Sequence, residues 1–158
     1  AIVEFSRAVP DIVFVILGSI CRYEVLSGRV PPNVLTLGTV SEEEKWLCFS
    51  VANIALNPMT HGSGSNIKMF EYAAAGLPTL STYFGARATG LEPGRHYIEA
   101  VLQDFPTRLA KLAHAETQEL LEIGRAARDF VVKRADWSVF GERYGKHAAA
   151  IVEGSEVV

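Results

Sequence analysis

Between His61 and Pro78 the chain reads HGSGSNIKMFEYAAAGLP, a stretch rich in residue types able to hold a charged ligand. Gly62 and Gly64 let the backbone turn tightly and approach a ligand closely. Ser63, Ser65 and Asn66 are small and polar, and a helical pattern opens straight after them through Ile67 and Lys68. The first turn of a helix leaves N–H groups unpaired and carries the positive end of the helix dipole, so it favours an anion. Lys68 adds a full positive charge in that turn, which is unfavourable unless an anion neutralises it. Glu71 comes next on a face that Lys68 can share. A carboxylate suits a ribose, because it accepts hydrogen bonds from two neighbouring hydroxyls, as the acidic residue of dinucleotide-binding folds does. Plainer readings stay open beside these. The loop can be a loop without a ligand, Lys68 and Glu71 can be a surface ion pair, and His61 can be incidental. The stretch is not a P-loop, and it is not GxGxxG, since Ile67 stands at the third glycine position.

The elements around this stretch must place it. Ile12 to Leu17 (IVFVIL) is a continuous apolar run followed by Gly18, which predicts a strand buried on both faces. Val34 to Leu37 and Asn53 to Leu56 predict two more strands, stopped by Gly38 and Pro58. Ser41 with Glu44 forms a capping box ahead of a helix reaching about Val51. A helix is expected from about Asn66 to Ala75, ended by Gly76, then a strand over Leu77 to Thr82. Tyr83 to Gly94 reads as a loop and His96 to Ala100 as a fifth strand. From Pro106 the chain turns helical, with helices expected over Pro106 to His114 and Thr117 to Lys133. A last helix is expected from Asp136, with Trp137, Phe140, Tyr144, Ala148 and Ile151 on one stripe. Strands alternating with helices predict an α/β fold: a Rossmann-like parallel sheet flanked by helices, with a helical C-terminal portion. The loop 61–66 then falls at the carboxyl end of the sheet, where open α/β folds bind their ligands.

Composition narrows the partners. The 158 residues carry a formal net charge of -3, with 49% hydrophobic and 21% charged residues. That suits one domain over residues 1–153, with 154–158 as a loose tail. With no run of Lys or Arg, no nucleic-acid partner is expected. Cys21 and Cys48 have no metal-ligand spacing and read as free thiols of a reducing, cytoplasmic setting. The longest strongly apolar run is far too short to cross a bilayer, and no signal peptide is visible. The chain opens at Ala1 inside what already reads as a helix, as a piece of a longer protein would.

Taken together, GSGSNIKMFEYAAAGLPTLST resembles the donor-site signature of retaining glycosyltransferases with two Rossmann-like domains, the type B fold. It is most similar to the large group that includes sucrose synthases and many bacterial cell-surface sugar transferases. The matching features are the small-residue loop from Gly62 to Ser65, Glu71 on the following helix, the turn from Ala75 to Pro78, and Ser81 with Thr82 at the strand end. The turn LGTV, the strand ending in Pro58 and the segment from Arg125 to Trp137 match in order and spacing.

The resemblance implies that Glu71 binds the donor ribose. It gives Gly62, Ser63, Gly64, Ser65, Asn66, Ile67 and Lys68 to the donor phosphates and sugar, and puts Gly38 and Val40 beside the base. His61 stands where family members often carry a glutamate that touches the transferred sugar. No metal and no cofactor besides the nucleotide diphosphate sugar are implied, and no residue of the chain is marked as catalytic. The expected partners are the donor and the protein's own N-terminal, acceptor-binding domain; a peripheral membrane acceptor is admitted for the full-length enzyme. The implied activity is sugar transfer with retention, of the hexosyltransferase type, by the full-length enzyme and not by this chain alone. Two other functions stay open: a sugar-nucleotide epimerase of the same fold, and a non-catalytic nucleotide-binding or interaction module.

Overall fold

The apolar runs supply the strands, and the segments between them supply the helices. The computed structural model describes residues 1–22, 30–63 and 66–134, with single residues 139, 141, 145 and 152 beyond them. Helix α1 (Ile2–Ala8) leads into strand β1 (Phe14–Leu17), which pairs in parallel with β2 (Val34–Gly38). Helix α2 (Glu42–Val51) follows, then β3 (Ala55–Asn57), α3 (Ile67–Ala74) and β4 (Thr79–Ser81). A short helix α4 (Tyr83–Ala86), strand β5 (Ile98–Glu99), helix α5 (Phe105–Leu112) and the long helix α6 (Thr117–Arg134) complete the order. Strands β3, β4 and β5 make a second parallel sheet in that order. The architecture is the expected α/β one, with parallel sheets flanked by helices.

Local chemistry explains the boundaries. Ser41 Oγ accepts from the Glu44 N–H at 3.2 Å while the Ser41 N–H donates to Glu44 Oε2 at 2.7 Å, so the capping box predicted for α2 is complete. Helix α3 ends in a Schellman motif: Gly76 N donates to Ala73 O, Leu77 N donates to Tyr72 O, and Gly76 takes φ +68°. The Asn33 amide donates to the carbonyls of Ser6, Val9 and Ile12, tying the end of α1 and the entry to β1 against the start of β2.

Two apolar clusters hold the layers together. Phe5, Phe14, Val34, Leu80, Phe105 and Leu109 join α1 and α5 to both sheets. On the other side Met69 and Ala73 of α3 meet Ala127 and Val131 of α6, with Leu91 and Tyr97 closing the group.

Four expectations are corrected. Strand β1 is not buried on both faces: Phe14 is buried, but Val13, Val15, Leu35 and Leu37 are exposed. Strand β3 lies nearer Asn57 than its apolar run suggests, because Asn57 is drawn into the ladder beside Ser81. Residues 83–86 are helical where a loop is predicted, since Thr82 caps them by accepting from Gly85 N. Strand β5 is shorter than its apolar surroundings imply. The predicted last helix, with Trp137, Phe140, Tyr144, Ala148 and Ile151, falls outside the described residues, as does the tail 154–158.

Candidate functional site

Three connections leave the carboxyl ends of the strands: residues 38–41 after β2, the loop after β3, and residues 82–87 after β4, the last two of which are bonded to each other. Parallel strands point their ends to one side, so this edge is where the chain can gather groups on a ligand.

The loop after β3 rests on buried side-chain amides. Asn66, at the N-cap position of α3, is 7% exposed. Its Nδ2 donates to Asn57 Oδ1 at 3.1 Å and to Gly85 O at 3.0 Å, and also contacts Met59 Sδ at 3.0 Å. Asn57 Nδ2 in turn donates to Ser81 Oγ at 3.2 Å. Thr82 Oγ1 donates to the Met59 carbonyl and accepts from Gly85 N. A closed set of polar groups thus fastens the loop, the start of α3 and the start of α4 to the strand ends. Gly85 has no room for a side chain there: a Cβ would lie 2.6 Å from Asn57 Nδ2 and 2.7 Å from Ser81 Oγ.

Above this layer the loop faces solvent. His61, Gly62 and Ser63 are exposed, and Gly62 takes φ +138°, a value that favours glycine. Arg87 Nη2 donates to Gly62 O at 3.0 Å, and its guanidinium carbon lies 3.7 Å from the centre of the Phe84 ring. His61 Nδ1 and Thr60 Oγ1 are 3.1 Å apart. Gly64 and Ser65 fall outside the described residues. Ile67 and Lys68 are exposed on the first turn of α3. The positive end of the α3 dipole and the charge of Lys68 thus belong to the same exposed first turn.

Glu71 lies one turn further along α3, half-buried. Its partner is not Lys68, as the surface-pair reading had it, but Lys45 of α2, whose Nζ lies 2.8 Å from Glu71 Oε1. The same Nζ lies 2.8 Å from Glu42 Oε2. The carboxylates of Glu42 and, second, Glu71 hold the Lys45 ammonium above the ordinary lysine range. Gly38 closes β2 with φ +69° and accepts at its carbonyl from Gly18 N at 2.6 Å; Val40 is half-buried just before the α2 cap.

The predicted residues thus divide. His61, Gly62, Ser63, Ile67 and Lys68 are each exposed, while the Asn66 side chain turns inward and serves the scaffold. Sequence reasoning missed Lys45, Asn57 and Arg87, and singled out Thr82 only as part of the strand end. Among the missed residues only Asn57 carried a signal, as a polar residue at the end of an apolar strand; Lys45 and Arg87 sit in ordinary helical or loop surroundings. Among the described residues, no group of three or more His, Cys, Asp or Glu side chains is placed to hold a metal ion. No helix among them is long and apolar enough to cross a membrane.

A parallel α/β sheet with a helix N-terminus and a helical carboxylate beyond its strand ends is the arrangement in which open α/β folds bind their ligands. Residues 1–144 match the glycosyl transferase-like family, and the chain belongs to that family. No curated protein matches it. Among solved structures it is similar to a glycosyltransferase from Rickettsia africae, with TM-score 0.80, 14% identity, and coverage of 97% of this chain and 44% of that one. It is similar also to HepE from Anabaena in complex with UDP and glucose, with TM-score 0.78, 13% identity, and coverage of 94% and 43%. The C-terminal domain of the glycosyl transferase group 1 protein LpcC from Francisella tularensis matches with TM-score 0.65, 14% identity, and coverage of 85% and 75%. At such identities the likeness establishes the fold. The chain spans less than half the length of the HepE chain.

Proposed function

We propose that this chain is the donor-binding domain of a glycosyltransferase that moves a sugar, of the hexosyl type and with retention, from a nucleotide diphosphate sugar to an acceptor. The observation that carries the reading is the exposed first turn of α3, which bears Lys68 and lies one helical turn from Glu71. That spacing suits a diphosphate on the helix end and a ribose on the carboxylate. The HepE complexes with UDP and with UDP-glucose support a uridine nucleotide as the first donor to try.

On this reading the diphosphate leaves carrying negative charge, and the α3 dipole with Lys68 stabilises it without any group having to move. His61, Gly62, Ser63 and Ile67 line the sugar and phosphates, and residues 38–40 lie beside the base. The acceptor side and the groups that complete transfer belong to the protein's own N-terminal domain, and a membrane-surface acceptor falls within the same proposal. No cofactor besides the donor is required.

Calorimetric titration with UDP, GDP, ADP and UDP-glucose tests this. At least one should bind, and Glu71→Ala should weaken it by roughly tenfold, the worth of a hydrogen bond to a charged group. A folded protein that binds none of them sinks the donor-site reading. Binding that Glu71→Ala leaves unchanged removes the ribose assignment alone.

A further inference from the structure

Glu71 is held by an ammonium that comes from another helix. Lys45 is only 18% exposed at its side chain, and its Nζ bridges Glu42 Oε2 and Glu71 Oε1, each at 2.8 Å. The bridge spans 26 residues of sequence and joins α2 to α3. Its neighbours are equally ordered: Phe49 of α2 stacks edge-on against Tyr72 of α3 with ring centres 5.4 Å apart. Helix α2 starts directly after the turn at residues 38–40, so Lys45 links the segment beside the proposed base to the proposed ribose ligand.

We propose that Lys45 is a positioning residue for Glu71, and that it sets the selectivity of this site for a ribose carrying free hydroxyls; the inference rests on the donor-site reading above. A carboxylate can accept about four hydrogen bonds. Lys45 occupies one position on Oε1, and among the described residues Oε2 has no partner. An ammonium fixed at one oxygen removes the rotational freedom of the carboxylate, so the other oxygen points in a constant direction. Glu42 supplies a second anchor for Lys45, keeping it in place without drawing on Glu71. The three groups together carry one net negative charge, from two carboxylates and one ammonium. That balance repels a phosphate and accepts a neutral diol, which separates the ribose position from the phosphate position one turn away at Lys68.

The test compares UDP with 2′,3′-dideoxy-UDP by calorimetry on the wild type, Lys45→Met, Lys45→Gln, Lys45→Arg and Glu71→Gln, with thermal unfolding of each. The wild type should prefer UDP by roughly tenfold or more, the scale of one charge-assisted hydrogen bond. Lys45→Met and Lys45→Gln should bring the two ligands to within about threefold, by weakening UDP while leaving the dideoxy compound unaltered. Lys45→Arg, which keeps the charge, should retain most of the preference. A purely structural role would weaken both ligands alike and lower the unfolding temperature, and that result overturns the inference. It is overturned too if Glu71→Gln abolishes the preference while Lys45→Met and Lys45→Gln keep it, an outcome that leaves the donor-site reading standing. A wild type that binds UDP without preferring it removes the ribose role of Glu71, and this inference with it; where GDP or ADP is the nucleotide bound, the same comparison is made with its 2′,3′-dideoxy form, and a wild type that binds none of the three removes the donor-site reading as well.

Discussion

At the scale of single residues, Asn66 shows how a position can serve a site without facing it. The sequence places it among small polar residues before a helix, where a phosphate contact is the natural expectation. The fold turns its amide inward, onto Asn57 Oδ1 and Gly85 O. Asn66→Ala leaves those buried acceptors without their donor, which costs about 1–3 kcal/mol. The loop 58–66 loses its tie to α4 at the same time. Chemical denaturation should show that loss, and UDP titration of the still-folded variant should show weaker binding than wild type. Unchanged stability would mean that water replaces the amide at no cost. Glu71 was legible as a carboxylate one turn into a helix after a glycine loop. Lys45 was not, because nothing in a single sequence links residues on two helices before the chain is folded. Arg87 was hidden for the same reason: its contact with Gly62 O crosses 25 residues.

At the scale of elements, the seam between α3 and α6 is made by glycine. Gly124 lies inside α6, and a Cβ there would stand 2.1 Å from Gly76 O. In an open helix interior Gly→Ala gains roughly 1 kcal/mol. Here the methyl group meets main chain that cannot swing away, and overpacking of that kind costs about 1–3 kcal/mol or more. Gly124→Ala should therefore lower the denaturation midpoint, and a midpoint at or above wild type would show that α6 shifts freely along α3. Helix α2 was readable from its capping box and α3 from its terminal glycine, and α5 and α6 were expected where the chain turns helical from Pro106. Helix α4 was not, since four residues are too few for a periodic pattern and its capping Thr82 also reads as the end of a strand. The one-sided burial of β1 was equally hidden: an apolar run looks the same whether one face is covered or two.

At the scale of the whole molecule, stability should depend on pH through His96. It is 4% exposed, accepts from the Glu92 N–H at Nδ1, and lies against Phe130 with ring centres 4.8 Å apart. Burial, helped by Arg95 and Arg134 and opposed by Glu92, holds its folded pKa below the ordinary histidine value. An unfolded chain takes up this proton near about pH 6.5, while the folded chain resists it. Stability is therefore full above that pH and falls as the pH drops below it, by at most about 1.4 kcal/mol per pH unit for one proton. Thermal unfolding between about pH 7.5 and 5.5 should show the decline, and His96→Gln should flatten it. A wild-type profile that is level across this range would refute the assignment.

Helix α3 has one further property that follows from its two ends. At its start the Asn66 amide is tied to β3 and α4; at its finish the Gly76 carbonyl abuts the backbone of α6. A rod pinned at both tips can neither slide along its axis nor pivot about one end. Whatever anion docks on its N-terminus meets a positive pole whose place was settled during folding, so the entropy of locating that pole is lost once, when the chain folds, and not again at each encounter.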